Sequence, residues 1–418
     1  MQAQTSWRKK FAVAFIIYAA AIGLYLAAAT IHPIPEAYRG TAADPATFLD
    51  PAKYRQSLLY SAQRNWIFFI SYPWEWAVYL YLLFSRKGAA WQSRLEQSPK
   101  LRKFTLPLFV LLLQGFVFLC FLPLRVLSYM LSRTNGISTQ GWGSWLQDRA
   151  VDFGVNYVLI VIVASVAFLI MRKGGRWWLK LWLLSIPFTL FMMYIQPVVI
   201  DPLYNQFNRL SDPQLEAKIL SLADKAHIPA ERVYEVDMSE KTNALNAYVS
   251  GIGGSLRIVL WDTTLQRLNE PEILLIMAHE MGHYVKHHLE WSAIGAVGSS
   301  FVLLWAGSFA IRRLLKRYGD DWGVRRLHEP AALPAVLLLI SVLTFVSLPV
   351  SNAVSRQAEH AADIYAFQLI GSKEGAVTMY QKLAESSLSE MNPPLLVKLF
   401  RSTHPSLMDR ILYAQDAP

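Results

Sequence analysis

Long apolar runs separated by short charged ones dominate this chain, and two stretches break that rhythm. A helix crossing ~30 Å of hydrocarbon needs about 20 mostly apolar residues, because its backbone groups must pair internally once water is gone. Seven runs meet this requirement, at 11–29, 66–84, 104–121, 153–171, 177–200, 292–311 and 331–350. The first follows Arg8, Lys9 and Lys10 in the manner of a signal peptide, but six further spans favour its retention. Glu75 is the clearest ionisable residue inside a span. It either faces a cavity or partner, or is a neutral hydrogen-bonded residue at a kink beside Pro73.

The rhythm breaks from 201 to about 290 and again from about 355 to the end. In the first break, "SDPQLEAKILSLADKAHI" predicts an amphipathic helix with Ser211 as N-cap and Leu215, Ile219, Leu222 and Ala223 on one stripe. "RVYEVDM" and "LRIVLWD" read as short strands, the second preceded by the Gly-rich turn "SGIGGS", so a small sheet or hairpin is expected. The predicted protein is mainly α and multi-pass. Residues 1–200 form a membrane domain of five spans, and 201–418 form a second domain with two further spans.

Composition narrows the class. Of 418 residues 54% are hydrophobic and 17% charged, against about 25% charged in soluble domains, which disfavours disorder and an ordinary soluble enzyme alike. The single cysteine, Cys120, rules out an internal disulfide and a cysteine-based metal site. The net charge of +10 follows from where the basic residues lie. Nineteen Lys and Arg fall before the first span and in the loops after the second, fourth and sixth, against seven in the opposite short loops (Arg39, Lys53, Arg55, Arg64, Arg125, Arg133, Arg149). The positive-inside rule therefore predicts a cytoplasmic N terminus and removes the need for a nucleic-acid partner.

"IMAHEMGHYVKHH" holds the candidate chemistry. His279 and His283, four residues apart, stack on one helix face and can grip one ion, while Glu280 between them reaches the remaining ligand water. Two ordinary surface histidines are the plain alternative. A hydrolytic zinc site needs a third protein ligand and an open position. Glu359 in "SRQAEHAAD" is the candidate, with Asp363 one turn later able to accept the free ring N–H of a ligating histidine. His360, His287 and His288 are set aside as ligands, the last two as solvated residues at the membrane boundary. The set suits peptide hydrolysis with one Zn2+ per chain, Glu280 moving a proton from water to the leaving amine. His404 and Arg410 in "STHPSLMDRI" are candidate donors to the developing oxyanion, and the alternative for His404 is a turn residue before proline. Asn246, Ala247 and Tyr248 in "NALNAYVSG" either form an edge strand that pairs with an extended substrate or an ordinary β-edge.

The ordered series "NALNAYVSG", "RIVLWDTTL", "HEMGH", "SRQAEHAAD" and "HPSLMDR" resembles the type I CAAX prenyl proteases, seven-span zinc metallopeptidases of the membrane. The resemblance implies seven helices around a water-filled chamber and a zincin-like α+β catalytic portion carrying HExxH. It implies zinc ligation by His279, His283 and Glu359, with Glu280 as base and Asp363 behind the ligands. It also puts Asn246 and Tyr248 in a substrate strand and His404 in a His-Pro element near the reaction centre. The implied partners are a peptide or protein substrate, lipidated or not, and membrane lipid. A general membrane quality-control peptidase of the heat-shock type, with fewer spans, and a non-catalytic scaffold are the alternatives. Two departures stand out. Ser239, Glu240 and Lys241 replace the family's Ser-Lys-Arg stretch, and the eukaryotic members face their active site to the cytosol with the N terminus opposite, the reverse of the charge count here.

Overall fold

A computed structural model describes residues 2–31, 33–250 and 256–416. Seven of its helices are long and apolar enough to cross a membrane: α1 (Gln2–Ala29), α2 (Pro51–Phe84), α4 (Thr105–Thr134), α5 (Trp142–Arg172), α6 (Trp177–Ile195), α10 (His288–Trp322) and α11 (Leu333–Ile370). A short α3 (Lys87–Gln97) follows α2. The span count agrees with the sequence, but the helix ends do not.

At 1.5 Å per residue the 34-residue α2 and 38-residue α11 run about 51 and 57 Å, far beyond a ~30 Å hydrocarbon layer. Asp50 starts α2 early by accepting from the backbone N–H groups of Ala52 and Lys53, with Pro51 in the first turn. Arg55 and Arg64, read from sequence as loop residues, therefore sit on a helix. Likewise the segment carrying Glu359 is no separate soluble piece, because α11 continues through it unbroken.

Glu75 joins these two helices. Ser341 of α11 donates to its Oε2 at 2.5 Å and Tyr79 to its Oε1 at 3.3 Å, while Trp76 Nε1 donates to Ser341 Oγ at 3.1 Å. Of its two readings, the hydrogen-bonded structural one fits these partners.

The charged stretch after α6 folds into a sheet with α7 (Pro213–Lys225), α8 (Asp262–Arg267) and α9 (Glu270–Val285). Strands β1 (Phe207–Arg209), β2 (Val233–Val236), β3 (Ala247–Ser250) and β4 (Arg257–Trp261) lie in the order β1-β2-β4-β3. The two strands expected from sequence, β2 and β4, are parallel neighbours and so cannot be a hairpin. Instead β3 pairs antiparallel with β4, and most of the Gly-rich turn between them, residues 251–255, lies outside the described residues. The α7 stripe is buried as predicted, but its N-cap is Asp212, which accepts from Gln214 and Leu215; Ser211 instead donates to Glu235. Ile219, Ile258, Leu260, Met277 and Met281 close the core beneath α9.

Three short helices end the chain: α12 (Ala376–Ser387), α13 (Leu395–Phe400) and α14 (Leu407–Asp416). Helix α9 packs on α11 at Gly282, where a Cβ would lie 3.1 Å from Tyr365 Cδ1 and 3.2 Å from Ala362 Cα. A Cβ here would push Tyr365 and the Ala362 backbone away by a few tenths of an ångström, so glycine favours this approach, which brings the two histidines of α9 to Glu359.

Candidate metal centre

Helix α9 begins with a capping box, in which Asn269 accepts from Glu272 N–H while the Glu272 carboxylate accepts from Asn269 N–H. The fixed start sets the phase that turns His279 and His283 toward α11. There the His279 Nε2 and Glu359 Oε2 atoms are 3.2 Å apart, His283 Nε2 and Glu359 Oε1 3.4 Å, and the two Nε2 atoms 3.2 Å. Ligand atoms of a tetrahedral ion bonded at ~2.0–2.1 Å stand roughly 3.3 Å apart; the two Nε2 atoms meet that spacing, and each lies at a similar distance from a different oxygen of the Glu359 carboxylate.

Proton positions give a second test. His279 Nδ1 lies 2.8 Å from Asp363 Oδ1, a carboxylate that accepts the Nδ1 proton, so Nε2 is the ring atom left to present a lone pair to a cation once its own proton is released. That lone pair faces Glu359 Oε2, which is buried and has no hydrogen-bond donor. Two lone pairs held together out of water repel unless a cation separates them. Among the described residues these three form the one His/Cys/Asp/Glu group with ligand atoms all within 4.8 Å.

A polar frame stands behind the ligands. Asp363, 2% exposed, accepts from Arg410 Nε at 2.9 Å and Nη2 at 2.6 Å, and from Tyr380 OH at 3.1 Å. Arg410 also stacks over the Tyr380 ring, 4.6 Å from its centroid. Its Nε and Nη2 are thus engaged with Asp363, while the residue also lines the cavity that holds Glu280. Tyr380 carried no sequence signal, since its reach to Asp363 depends on the packing of α12 against α14 and α9. His288 was also misjudged. Its Nδ1 lies 3.0 Å from His283 Nδ1 and the residue is half-buried, so it neighbours a candidate ligand and is not fully solvated. The cause is His287, whose φ of 55° turns the chain back between α9 and α10. His287 itself is exposed and near Glu290, and His360 packs on Tyr413 away from the cluster.

His404 reaches the centre from the C-terminal segment, its Nε2 3.3 Å from Glu359 Oε1. Arg356 on α11 holds that segment by donating to the carbonyls of Lys398 (2.6 Å) and Ser402 (2.8 Å), and Asn352 donates to Leu399 O at 2.9 Å. Glu280 faces a cavity of about 490 Å³ that Asn246, His279, His404 and Arg410 also line. Burial pushes the Glu280 carboxyl above the usual carboxylate range, with His279 and His283 opposing. Asn246 immediately precedes β3, an edge strand of the described sheet, and Tyr248 is not part of that cavity lining.

Residues 209–417 match the peptidase family M48, and residues 12–206 match the family described as CAAX prenyl protease N-terminal, five membrane helices. The metalloprotease YhfN of Bacillus subtilis is 44% identical over 414 residues, 98% of this chain and 96% of that protein. A CAAX prenyl protease 1 homolog of Arabidopsis thaliana is 31% identical over 299 residues, covering 69% of this chain and 68% of its own. The crystal structure of S. mikatae Ste24p superposes with a TM-score of 0.79 at 22% identity over 97% of each chain, which establishes a common fold.

Proposed function

The chain belongs to peptidase family M48, in its CAAX prenyl protease branch, and from that premise we propose that this membrane metalloprotease is a zinc endopeptidase acting on peptides beside the bilayer. Residues 201–418 would carry the chemistry, and 1–200 would supply the five-span enclosure. The observation that supports the reading best is the trio of lone pairs of His279, His283 and Glu359 converging from α9 and α11.

Zinc held there would supply a water of lowered pKa and polarise the scissile carbonyl. Everything else falls to the chain. Glu280 takes the proton of the attacking water and returns it to the leaving amine. His404, 57% exposed at its side chain, donates to the oxyanion as it forms. Asp363 fixes the His279 tautomer, and Arg410 and Tyr380 fix Asp363, so Arg410 is assigned to positioning. Asn246 binds the substrate backbone at the open side of β3, and Tyr248 supports that strand from behind.

Zinc content tests the reading. Purified protein should carry about one zinc per chain, lose peptidase activity on dialysis against a chelator, and regain it with stoichiometric Zn2+. Full activity in metal-free protein would defeat it.

The catalytic residues share one face with the loops after α1 and α4. Lys53 pairs with Glu385, Gln381 donates to Ala42 O at 2.9 Å, and Ser138 bridges to Thr242. Lys241, in the stretch that departs from the family, is part of the same junction, donating to Asp148 at 3.0 Å and Tyr204 O at 2.8 Å. The opposite face carries the basic excess. We assign that face to the cytoplasm, which puts the active site outside and favours envelope or membrane peptides over prenylated cytosolic proteins. A periplasm-type alkaline phosphatase fused after Pro418 should be active and a C-terminal green fluorescent protein dark. The opposite pair of signals would reverse the orientation.

A further inference from the structure

The same cavity has a cationic end that the hydrolytic reading does not use. Arg64 and Asn65 of α2 and Arg401, which follows α13, line it together with His279 and Glu280. Arg401 donates to Asn65 Oδ1 through Nη1 and lies over the Phe68 ring, 5.7 Å from its centroid. Arg64 lies over the Tyr60 ring at 5.3 Å and, among the described residues, has no hydrogen-bond acceptor. Neither guanidinium has a carboxylate within 4 Å among the described residues, although each is a fork of N–H donors with no capacity to accept.

Two like charges side by side in a half-buried wall repel, and an unmatched cation out of bulk water costs free energy. Burial and the neighbouring Arg64 hold the Arg401 guanidinium down to about 10. The nearest acid, Glu390, is itself pushed up to about 7 by burial, and so offers only part of a compensating charge near neutrality. Ser387, Ser389 and Ser402 add neutral polar groups to a lining that also holds Glu390, so at this end two guanidiniums face one carboxyl. Such a wall is complementary to a ligand that arrives negatively charged, and bidentate pairing with a carboxylate is what guanidinium geometry favours. At about 490 Å³ the cavity is of ligand size, and it is continuous with Glu280.

We propose that Arg64 and Arg401 form a subsite for a carboxylate of the substrate peptide, either its free C terminus or an acidic side chain, and thereby select where the chain is cut. The proposal rests on the peptidase reading for the identity of the ligand, and uses residues outside the metal set. It makes Arg64 and Arg401 specificity residues, acting through substrate position and not on the reacting atoms.

Three N-terminally labelled peptides of one sequence test it on the zinc-loaded full chain: one with a free C terminus, one C-terminally amidated, and one amidated with glutamate at the penultimate position. The free acid should be cut with a kcat/KM about tenfold to a hundredfold above the amide, the difference lying mainly in KM. Arg64→Gln should erase that ratio while leaving turnover of the amide unchanged. Arg401→Gln should do the same, with Arg401→Lys restoring part of it; because Arg64 holds no backbone group, its variant keeps the test valid if Arg401 variants unfold. Glutamate rescue of the amide would identify the side chain as the source, and no rescue the C terminus. Equal kcat/KM for all three peptides, or equal loss on all three in the Arg variants, would overturn the subsite. Binding of the same peptides to Glu280→Gln by fluorescence anisotropy separates the two readings: carboxylate preference without any turnover in the wild type would sink the peptidase and keep the subsite.

Discussion

Glu280→Gln is expected to lower kcat by about a thousandfold, within the ~10²–10⁴ that a positioned general base contributes, while zinc stays at one per chain. The two side chains have the same shape, so what changes is the ability to hold a proton. Glu280 sits between His279 and His283 on α9 and faces the cavity, but it is not one of the three converging donors. Zinc retention is therefore expected. Nor should the fold suffer: burial pushes the Glu280 carboxyl above its usual range, which means that ionising it costs the folded state free energy. A neutral amide carries no such cost, so the melting temperature should not fall. KM should change little, because the peptide is held at the edge of β3 and the cavity wall. Zinc analysis and steady-state kinetics on the same preparation decide it. A variant that kept even a tenth of wild-type kcat would require another base.

The apolar runs announced every span because the bilayer demands a long apolar stretch and leaves few other solutions. Helix ends were less legible for the same reason. Once outside the hydrocarbon, α2 and α11 need only caps and helix formers to continue, so polar sequence before Trp66 and after Val350 gave no sign that the helix persisted. The cap of α7 was present in the sequence and misread. Ser211 and Asp212 are both good caps, and Pro213, favoured in the first turn, selects its immediate predecessor. The candidate ligands were legible because i, i+4 spacing on a helix is local geometry. His288 was not, since its approach to His283 depends on one left-handed residue at position 287. Arg410 shows a different limit: sequence brought it near the site but could not say that Asp363 would take up its Nε and Nη2 donors.

Glu359→Ala should have the largest effect on metal. Groups that merely orient metal ligands are typically worth 10–100-fold in affinity, so removing a ligand that itself closes the site should cost more than about a hundredfold. Asp363→Asn, which leaves all three ligand atoms in place but weakens the acceptor behind His279, should fall inside that lower range and serves as the internal comparison. The scaffold should survive the alanine variant. Glu359 is buried, but α9 and α11 are also held by the close Gly282 contact and by the Met277 and Met281 core, and the lost carboxylate removes a charge whose one buried oxygen lacks a donor. What should vanish is the coupling of folding to metal. Binding to the native state alone stabilises by about 4 kcal/mol at a thousandfold excess over Kd, so wild-type protein should melt at a higher temperature as free Zn2+ rises. The Glu359→Ala curve should be flat over the same range, and its peptidase activity absent. A variant that still bound one zinc and still melted later in its presence would mean that the carboxylate of α11 does not touch the ion. His404, 3.3 Å from that carboxylate, would then be the remaining side chain positioned to replace it.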